Sequence, residues 1–167
     1  SLAEIALSQN DFSTVSKTLN AMDKDQRRSA KTLINSYDRA LLGKIVGNIG
    51  LQHRTSPANY HNESHQDYAI YTPKTANGHD LYVHYLETRS PYDKESLISR
   101  RIGVGTEFNF YPLQLKIESG KGIKLNEKAY FSTEVNYTLN QHWAFNLDAN
   151  INGSDTPIKA INKGVYT

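Results

Sequence analysis

Carboxylate and amide side chains at alternate positions are the groups of this 167-residue chain best suited to chemistry. The carboxylates are Glu107, Glu118, Glu134 and Asp148, and the amides are Asn109, Asn136, Asn146 and Asn150. Alternate side chains of an extended strand share one face, so these groups would line a single surface. Such a surface attracts amines and hydrogen-bonds a hydrated sugar chain, which makes these residues candidate substrate-binding positions. An ordinary solvated sheet face explains the same pattern.

A second cluster alternates histidine with carboxylate. The residues are His61, Glu63, His65 and Asp67, and on an extended segment they would share one side. Two imidazoles and two carboxylates form a set that binds divalent metals. A solvated external loop rich in polar residues accounts for the same pattern. We favour the loop and predict no metal.

The residues give no argument for a catalytic site, a cofactor or a nucleic-acid partner. No Gly-x-Ser-x-Gly nucleophile motif occurs. Gly103-Val104-Gly105 lies inside a strand pattern, whereas a phosphate loop joins a strand to a helix. Glycines in a strand make room on one face or allow curvature. The chain has no cysteine, and its formal net charge of +2 is not gathered into a basic patch.

The elements that would position the polar side chains are strands, because the hydrophobic period changes from 3.6 to 2 at Gly43. Alternation is clear in residues 45–51, 81–85, 102–110, 113–118, 131–139 and 143–151, and 67–71 reads as a shorter strand. Val165 is expected to open another strand. The apolar residues predicted to share the opposite face are Ile102, Val104, Phe108, Phe131, Val135, Phe145 and Leu147.

Residues 1–41 carry the helical period instead. The spacing of Phe12, Val15 and Leu19 predicts one helix of a pair, with the break at Asn10-Asp11. A second helix is expected after Asp23 and Asp25, with an apolar stripe of Ala30, Leu33, Ile34, Tyr37, Ala40 and Leu41. Such a pair is similar to one tetratricopeptide unit, which cannot bury its own apolar face. We therefore expect it to pack on further helices upstream rather than on the sheet.

Connection lengths and aromatic positions favour a membrane barrel. The predicted connections are 55–66, 72–79, 90–96, 111–112, 120–126, 140–141 and 152–163, which after the first pair alternate tighter and longer. Outer-membrane barrels have short periplasmic turns and longer external loops. Phe110, Tyr111, Tyr137 and Trp143 flank the two tightest turns, as an aromatic girdle at the membrane boundary would. A soluble antiparallel sandwich also alternates and carries aromatics.

The overall hydropathy is compatible with strands that cross a membrane. Mean hydropathy is −0.62, and no segment approaches the ~18 consecutive apolar residues of a membrane helix. Barrel strands keep a modest average because polar and apolar residues alternate. The chain begins at Ser1 without a methionine and ends at Thr167 within a strand-like pattern. We interpret it as a fragment of a longer protein.

Three stretches carry a family resemblance. One is the passage from helix to strand in 36–51, and another is the Gly-rich strand of 100–117 with its short turn and Leu-x-Leu-x-Ile strand. The most specific is 143–164, where a Trp-containing strand leads into Asn152-Gly153-Ser154-Asp155-Thr156-Pro157, then Lys159-Ala160 and Gly164. Together they resemble the PgaA-type outer-membrane exporters of poly-β-1,6-N-acetyl-D-glucosamine.

The resemblance implies a periplasmic tetratricopeptide superhelix followed by an antiparallel up-and-down outer-membrane β-barrel of about 16 strands. Residues 1–42 would then end the helical region, and residues 43–167 would form the first seven or eight strands. Such a part cannot close alone, because an open sheet leaves unpaired edges in lipid.

The same resemblance implies a porin, not an enzyme, that exports partly de-N-acetylated poly-β-1,6-N-acetyl-D-glucosamine for biofilm matrix. Its partners would be the polysaccharide, outer-membrane lipid and a periplasmic polysaccharide deacetylase. Free amines make the polymer cationic, so an acidic lumen suits it. A cellulose-type exporter with a neutral polymer and a soluble carbohydrate-binding β-sandwich remain open. A lipid-modifying enzyme would need a Ser/His or Asp/His site that we do not find.

Overall fold

A computed structural model describes residues 1–56, 59–92, 95–124, 128–140 and 142–152, with side chains described there except at 52–63 and 92–95. Within these residues four helices come first: α1 (Leu2–Ser8), α2 (Phe12–Ala21), α3 (Lys24–Ser29) and α4 (Lys31–Ala40). Seven strands follow: β1 (Lys44–Ser56), β2 (Asn59–Tyr71), β3 (Asp80–Tyr92), β4 (Glu95–Phe110), β5 (Leu113–Lys124), β6 (Ala129–Thr138) and β7 (Ala144–Ile151).

Capping residues set the ends of the helices. Asn10 has a φ of 58°, so the predicted break at Asn10-Asp11 is confirmed. The Asp11 carboxylate accepts from the backbone N–H of Thr14 at 3.1 Å and caps α2. Asp23 and Gln26 form a capping box at α3. The prediction of two helices was wrong in number, because α1 stops at the break and the chain leaves helical geometry again at Ala30. No helix among the described residues is long and apolar enough to span a membrane.

The buried core of the helical part lies between the helices themselves. It consists of Ala3, Ala6, Phe12, Val15, Leu19, Leu33 and Tyr37. This core touches the sheet at the turn between β2 and β3, where the Tyr37 hydroxyl donates to the carbonyl of Ala76 at 2.7 Å and Phe12 packs against Gly78. Only a residue without Cβ leaves room for that ring, and Gly78 also has a φ of 85°. Leu33 and Tyr37 are therefore buried among helices and not inside the sheet.

All the described strands form one antiparallel sheet. Their spatial order is β1-β2-β3-β4-β5-β6-β7, so every strand pairs with its sequence neighbours and the sheet is an up-and-down meander. This confirms the predicted mainly β, antiparallel class with helices at the N-terminus. Among the described residues β1 and β7 do not pair with each other, so the sheet is not closed.

Several strands are longer than the hydrophobic alternation predicts. β2 begins at Asn59, β3 runs to Tyr92, β4 begins at Glu95 and β5 runs to Lys124. Most of the predicted connections 55–66, 90–96 and 120–126 are therefore strand. A long antiparallel hairpin keeps its backbone hydrogen bonds beyond the last apolar positions. The residues there are mostly polar on both faces, so the sequence shows no apolar–polar alternation that would predict a strand. The predicted strand at Val165 and connection 152–163 lie almost entirely outside the described residues.

Burial on the two faces of the sheet is the reverse of a water-soluble sheet. Ile102, Val104, Phe131, Phe145 and Leu147 share one face with exposures of 41–66%, while Phe108 and Val135 on that face are half-buried. On the other face Tyr82, Arg101 and Glu118 are exposed by only 3–6%. No second layer of described residues covers either face. The polar face is therefore buried by its own side chains.

Candidate functional site

Three of the four predicted carboxylates belong to a row of charged side chains that crosses five strands of the polar face. Cross-strand register pairs Asp80 with Glu107, Glu107 with Lys116, Lys116 with Glu134 and Glu134 with Asp148. We call these five residues the charge row. Directly opposed side chains on neighbouring strands lie roughly 5 Å apart, so the row is a continuous strip of charge.

Three of the four predicted amides, all except Asn150, belong to a parallel row one step nearer the helices. Register pairs Asn109 with Gln114, Gln114 with Asn136 and Asn136 with Asn146, and we call these four residues the amide row. The Asn146 amide donates to the Asn136 carbonyl at 2.7 Å. Gln114 was not among the predicted binding residues, although its alternation with Leu113 and Leu115 placed it on this face.

Lysines neutralise one half of the charge row. Lys74 Nζ lies 2.7 Å from Asp80 Oδ2 and 3.8 Å from Glu107 Oε2. Lys116 Nζ lies 3.8 Å from the other oxygen of Glu107. The carboxylates on β3 and β4 therefore already have cationic partners within this chain.

The other half of the charge row keeps its negative charge. Glu134 Oε1 accepts from Asn136 at 2.9 Å and from Asn146 at 3.3 Å, and Asp148 accepts from Asn150 at 3.2 Å. Neither carboxylate forms an ion pair with a described residue. Amide donors orient these oxygens without cancelling their charge, so Glu134 and Asp148 are the carboxylates best placed to bind an added cation.

Two adjoining hollows cover the rows. The larger, about 340 Å³, is lined by three members of each row and by Lys44, Lys74 and Asn10. A second, about 230 Å³, is lined by Glu118, Tyr130, Asp148 and Asn150 among others. Lys116 and Glu134 line both hollows. Together they form a polar trough over β4–β7 with Glu134 at its centre.

Glu118 differs from the other predicted carboxylates because its own neighbours saturate it. Tyr82 donates its hydroxyl to Oε2 at 2.8 Å, Tyr130 donates to Oε1 at 2.6 Å, and His84 Nδ1 lies 2.8 Å from Oε1. His84 Nε2 lies 2.8 Å from Asp67 Oδ1, so the imidazole donates to both carboxylates only when it is protonated. We call these five residues the Glu118 cluster. Because its carboxylate is already saturated by neighbouring side chains, we expect this cluster to support the trough structurally rather than bind a ligand.

Glu118 was predicted from the sequence as a substrate-binding residue, but none of its hydrogen-bond partners was. Tyr82 and His84 alternate with Leu81 and Val83 along β3, so their shared face was visible in the pattern. That Tyr82 and His84 both reach Glu118 could not be predicted from the sequence, because this contact depends on the register of β3, β4 and β5.

Glycines of β4 make room for the Glu118 cluster. A Cβ added at Gly105 would lie 2.2 Å from Tyr82 Cζ, and one added at Gly103 would lie 2.1 Å from the Tyr130 hydroxyl. Both tyrosines therefore lie across the strand where β4 has no side chain. This confirms the expectation that these glycines face the polar side and make space there.

The structure describes two of the four side chains of the alternating His/carboxylate segment. Asp67 belongs to the Glu118 cluster, and His65 lies over Gly50 on the same face. The side chains of His61 and Glu63 lie outside the described residues. Among the described residues no group of three or more metal-binding side chains comes together.

Comparisons of this chain with protein-family models, with curated proteins and with solved structures find no match.

Proposed function

We propose that this chain is the first part of an outer-membrane β-barrel, not an enzyme, that exports partly de-N-acetylated poly-β-1,6-N-acetyl-D-glucosamine. The observation that carries the proposal is one up-and-down sheet with an exposed apolar face and a polar face that bears unpaired carboxylates. The helical segment would lie in the periplasm, where it docks a polysaccharide deacetylase or guides the polymer.

The exposed apolar face supports the membrane part of the proposal. An apolar surface that extends over seven strands needs a cover other than water. Lipid is a suitable cover, because membrane strands alternate apolar-out and polar-in. In this proposal the open edges of β1 and β7 pair with further strands of the full-length protein, as lipid requires.

The trough supports the choice of a cationic sugar polymer. Glu134 and Asp148 offer negative charge to an ammonium group, and the amide row offers donors and acceptors to sugar hydroxyls. A confined pore has a lower effective dielectric than bulk water, which strengthens each attraction. Lys116 lies between Glu107 and Glu134 in the charge row and weakens the attraction for a cation, and a moving polymer requires moderate binding.

The test removes the unpaired charges from the full-length protein. In a Glu134→Gln/Asp148→Asn variant, secreted polymer should fall several-fold while the barrel assembles normally. Extending the change to Glu107→Gln, which lines the same hollow as Glu134, should lower secretion further. The matched control is Asp25→Asn/Asp38→Asn, which removes two exposed carboxylates from the helical segment.

Two outcomes would count against the proposal. Undiminished secretion of the amine-bearing polymer would favour a cellulose-type exporter of a neutral polymer. A full-length protein that stays monomeric and soluble without detergent would favour the carbohydrate-binding sandwich. Within the described residues all strands belong to one sheet, so a sandwich would need its second sheet from elsewhere.

A further inference from the structure

Basic side chains gather where the exposed apolar face ends, on the side away from the helices. Along β4 the outward positions run from Phe108 through Val104 to Ile102, and Arg100 follows at the next. Register places Lys121 opposite Ile102 and Lys124 opposite Arg100, with a strand irregularity between them. On β3 the outward residues after Tyr85 are Glu87 and Arg89. We call Arg89, Arg100, Lys121 and Lys124 the rim cluster.

A buried carboxylate holds the two arginines of the rim cluster in place. The Glu87 side chain is only 6% exposed and accepts from Arg100 Nε at 2.7 Å, from Arg89 Nε and from the Tyr85 hydroxyl. Both guanidiniums bond Glu87 through Nε, and the Arg100 guanidinium also interacts with the Tyr85 hydroxyl. Each arginine is therefore held by its Nε edge, and within the described residues no carboxylate other than Glu87 pairs with it.

The rim cluster has the chemistry of a phosphate site beside an apolar surface. Its four cations exceed the charge of Glu87 by three, and Arg89, Lys121 and Lys124 are exposed. Guanidinium N–H pairs match phosphate oxygens in a bidentate fashion. Basic residues next to a membrane-embedded surface attract anionic lipid.

We propose that the rim cluster binds the phosphate of an anionic lipid whose acyl chains lie along Ile102 and Val104. The proposal rests on the proposed function, because it requires the apolar face to lie in a bilayer. The lipid would belong to the leaflet far from the helical segment. Glu87 acts here as a positioning residue that holds the guanidinium groups toward the headgroup.

The experiment measures lipid binding by the full-length protein in phosphatidylcholine nanodiscs with and without phosphatidic acid. The main variant is Lys121→Gln/Lys124→Gln, which leaves the Glu87 pairs intact. Each lost cation should weaken phosphatidic acid binding about 5-fold, so the pair should weaken it about 25-fold. The control is Lys24→Gln/Lys31→Gln on the helical segment, which should bind as the unchanged protein does. Native mass spectrometry counts the retained lipid.

The outcomes separate this proposal from the proposed function. Insertion into nanodiscs with equal phosphatidic acid binding by the rim and control variants would overturn the lipid site alone. Inorganic phosphate that competes as strongly as the lipid would also overturn it, because the headgroup would then need no acyl chains. Failure of the unchanged protein to insert would overturn both proposals.

Discussion

Glu118 and Glu134 occupy equivalent places in the alternating sequence but have different environments. Glu118 is 6% exposed and accepts from Tyr82, Tyr130 and His84. Glu134 is half-buried, accepts from two asparagine amides and borders both hollows of the trough. We therefore expect Glu118 to support the fold and Glu134 to contact ligand.

Removing each of the two carboxylates should change the free energy of unfolding by a different amount. Replacing Glu118 with Ala leaves the Tyr82, Tyr130 and His84 donors without their acceptor in a buried place, which should cost about 3–5 kcal/mol. Replacing Glu134 with Ala removes a group that is partly solvated and should cost less than about 1 kcal/mol. Urea unfolding of the full-length protein checks both values. Equal losses in the two variants would show that Glu118 has no special structural role.

At the scale of the strands, β4 and its neighbours depend on two glycines. Gly103 and Gly105 leave the space that Tyr130 and Tyr82 use to reach Glu118 across the sheet. A side chain at either glycine would have to displace a tyrosine ring or hydroxyl. The Glu118 cluster and the packing of β4 against its neighbours are thus linked through these glycines.

A double-mutant cycle tests this link. Gly105→Ala places a methyl group 2.2 Å from Tyr82 Cζ and should destabilise the protein by about 1–3 kcal/mol. In a Tyr82→Ala background the same substitution should cost much less, because the ring that it displaces is gone. Gly47→Ala serves as the control, since its Cβ would lie 3.2 Å from Tyr68, a ring that is 38% exposed and free to move aside. If Gly105→Ala lowers the free energy of unfolding equally in both backgrounds, Gly105 and Tyr82 are not coupled.

Strands were predictable from the sequence wherever one face is apolar. The alternation around Val104 and Leu115 predicted β4 and β5, and it assigned Glu107 and Asn109 to the polar face correctly. Strand ends were not predictable, because the far ends of the hairpins have no apolar face. The ion pairs of Lys74 and the saturation of Glu118 were also hidden, since both depend on which residues register places together.

For the whole molecule, the decisive property is that the apolar face of the sheet is exposed. Val104 on β4 is 62% exposed and Leu147 on β7 is 66% exposed, whereas Arg101 and Glu118 on the opposite face are buried. In water this arrangement costs free energy at every exposed apolar side chain. In a bilayer the same arrangement stabilises the fold, so the orientation of the sheet is tested best in lipid.

A charge placed on each face in turn gives that test. Val104→Arg puts a guanidinium in the middle of the apolar face, and in a bilayer it should cost about 2–4 kcal/mol and lower the yield of assembled protein. Asn150→Arg puts the same group on the polar face next to Asp148, where water and a carboxylate receive it, so it should cost little. Unfolding of the full-length protein in lipid vesicles measures both. If the two variants lose equal stability, or if Asn150→Arg loses more, then the apolar face does not contact lipid and the barrel proposal fails.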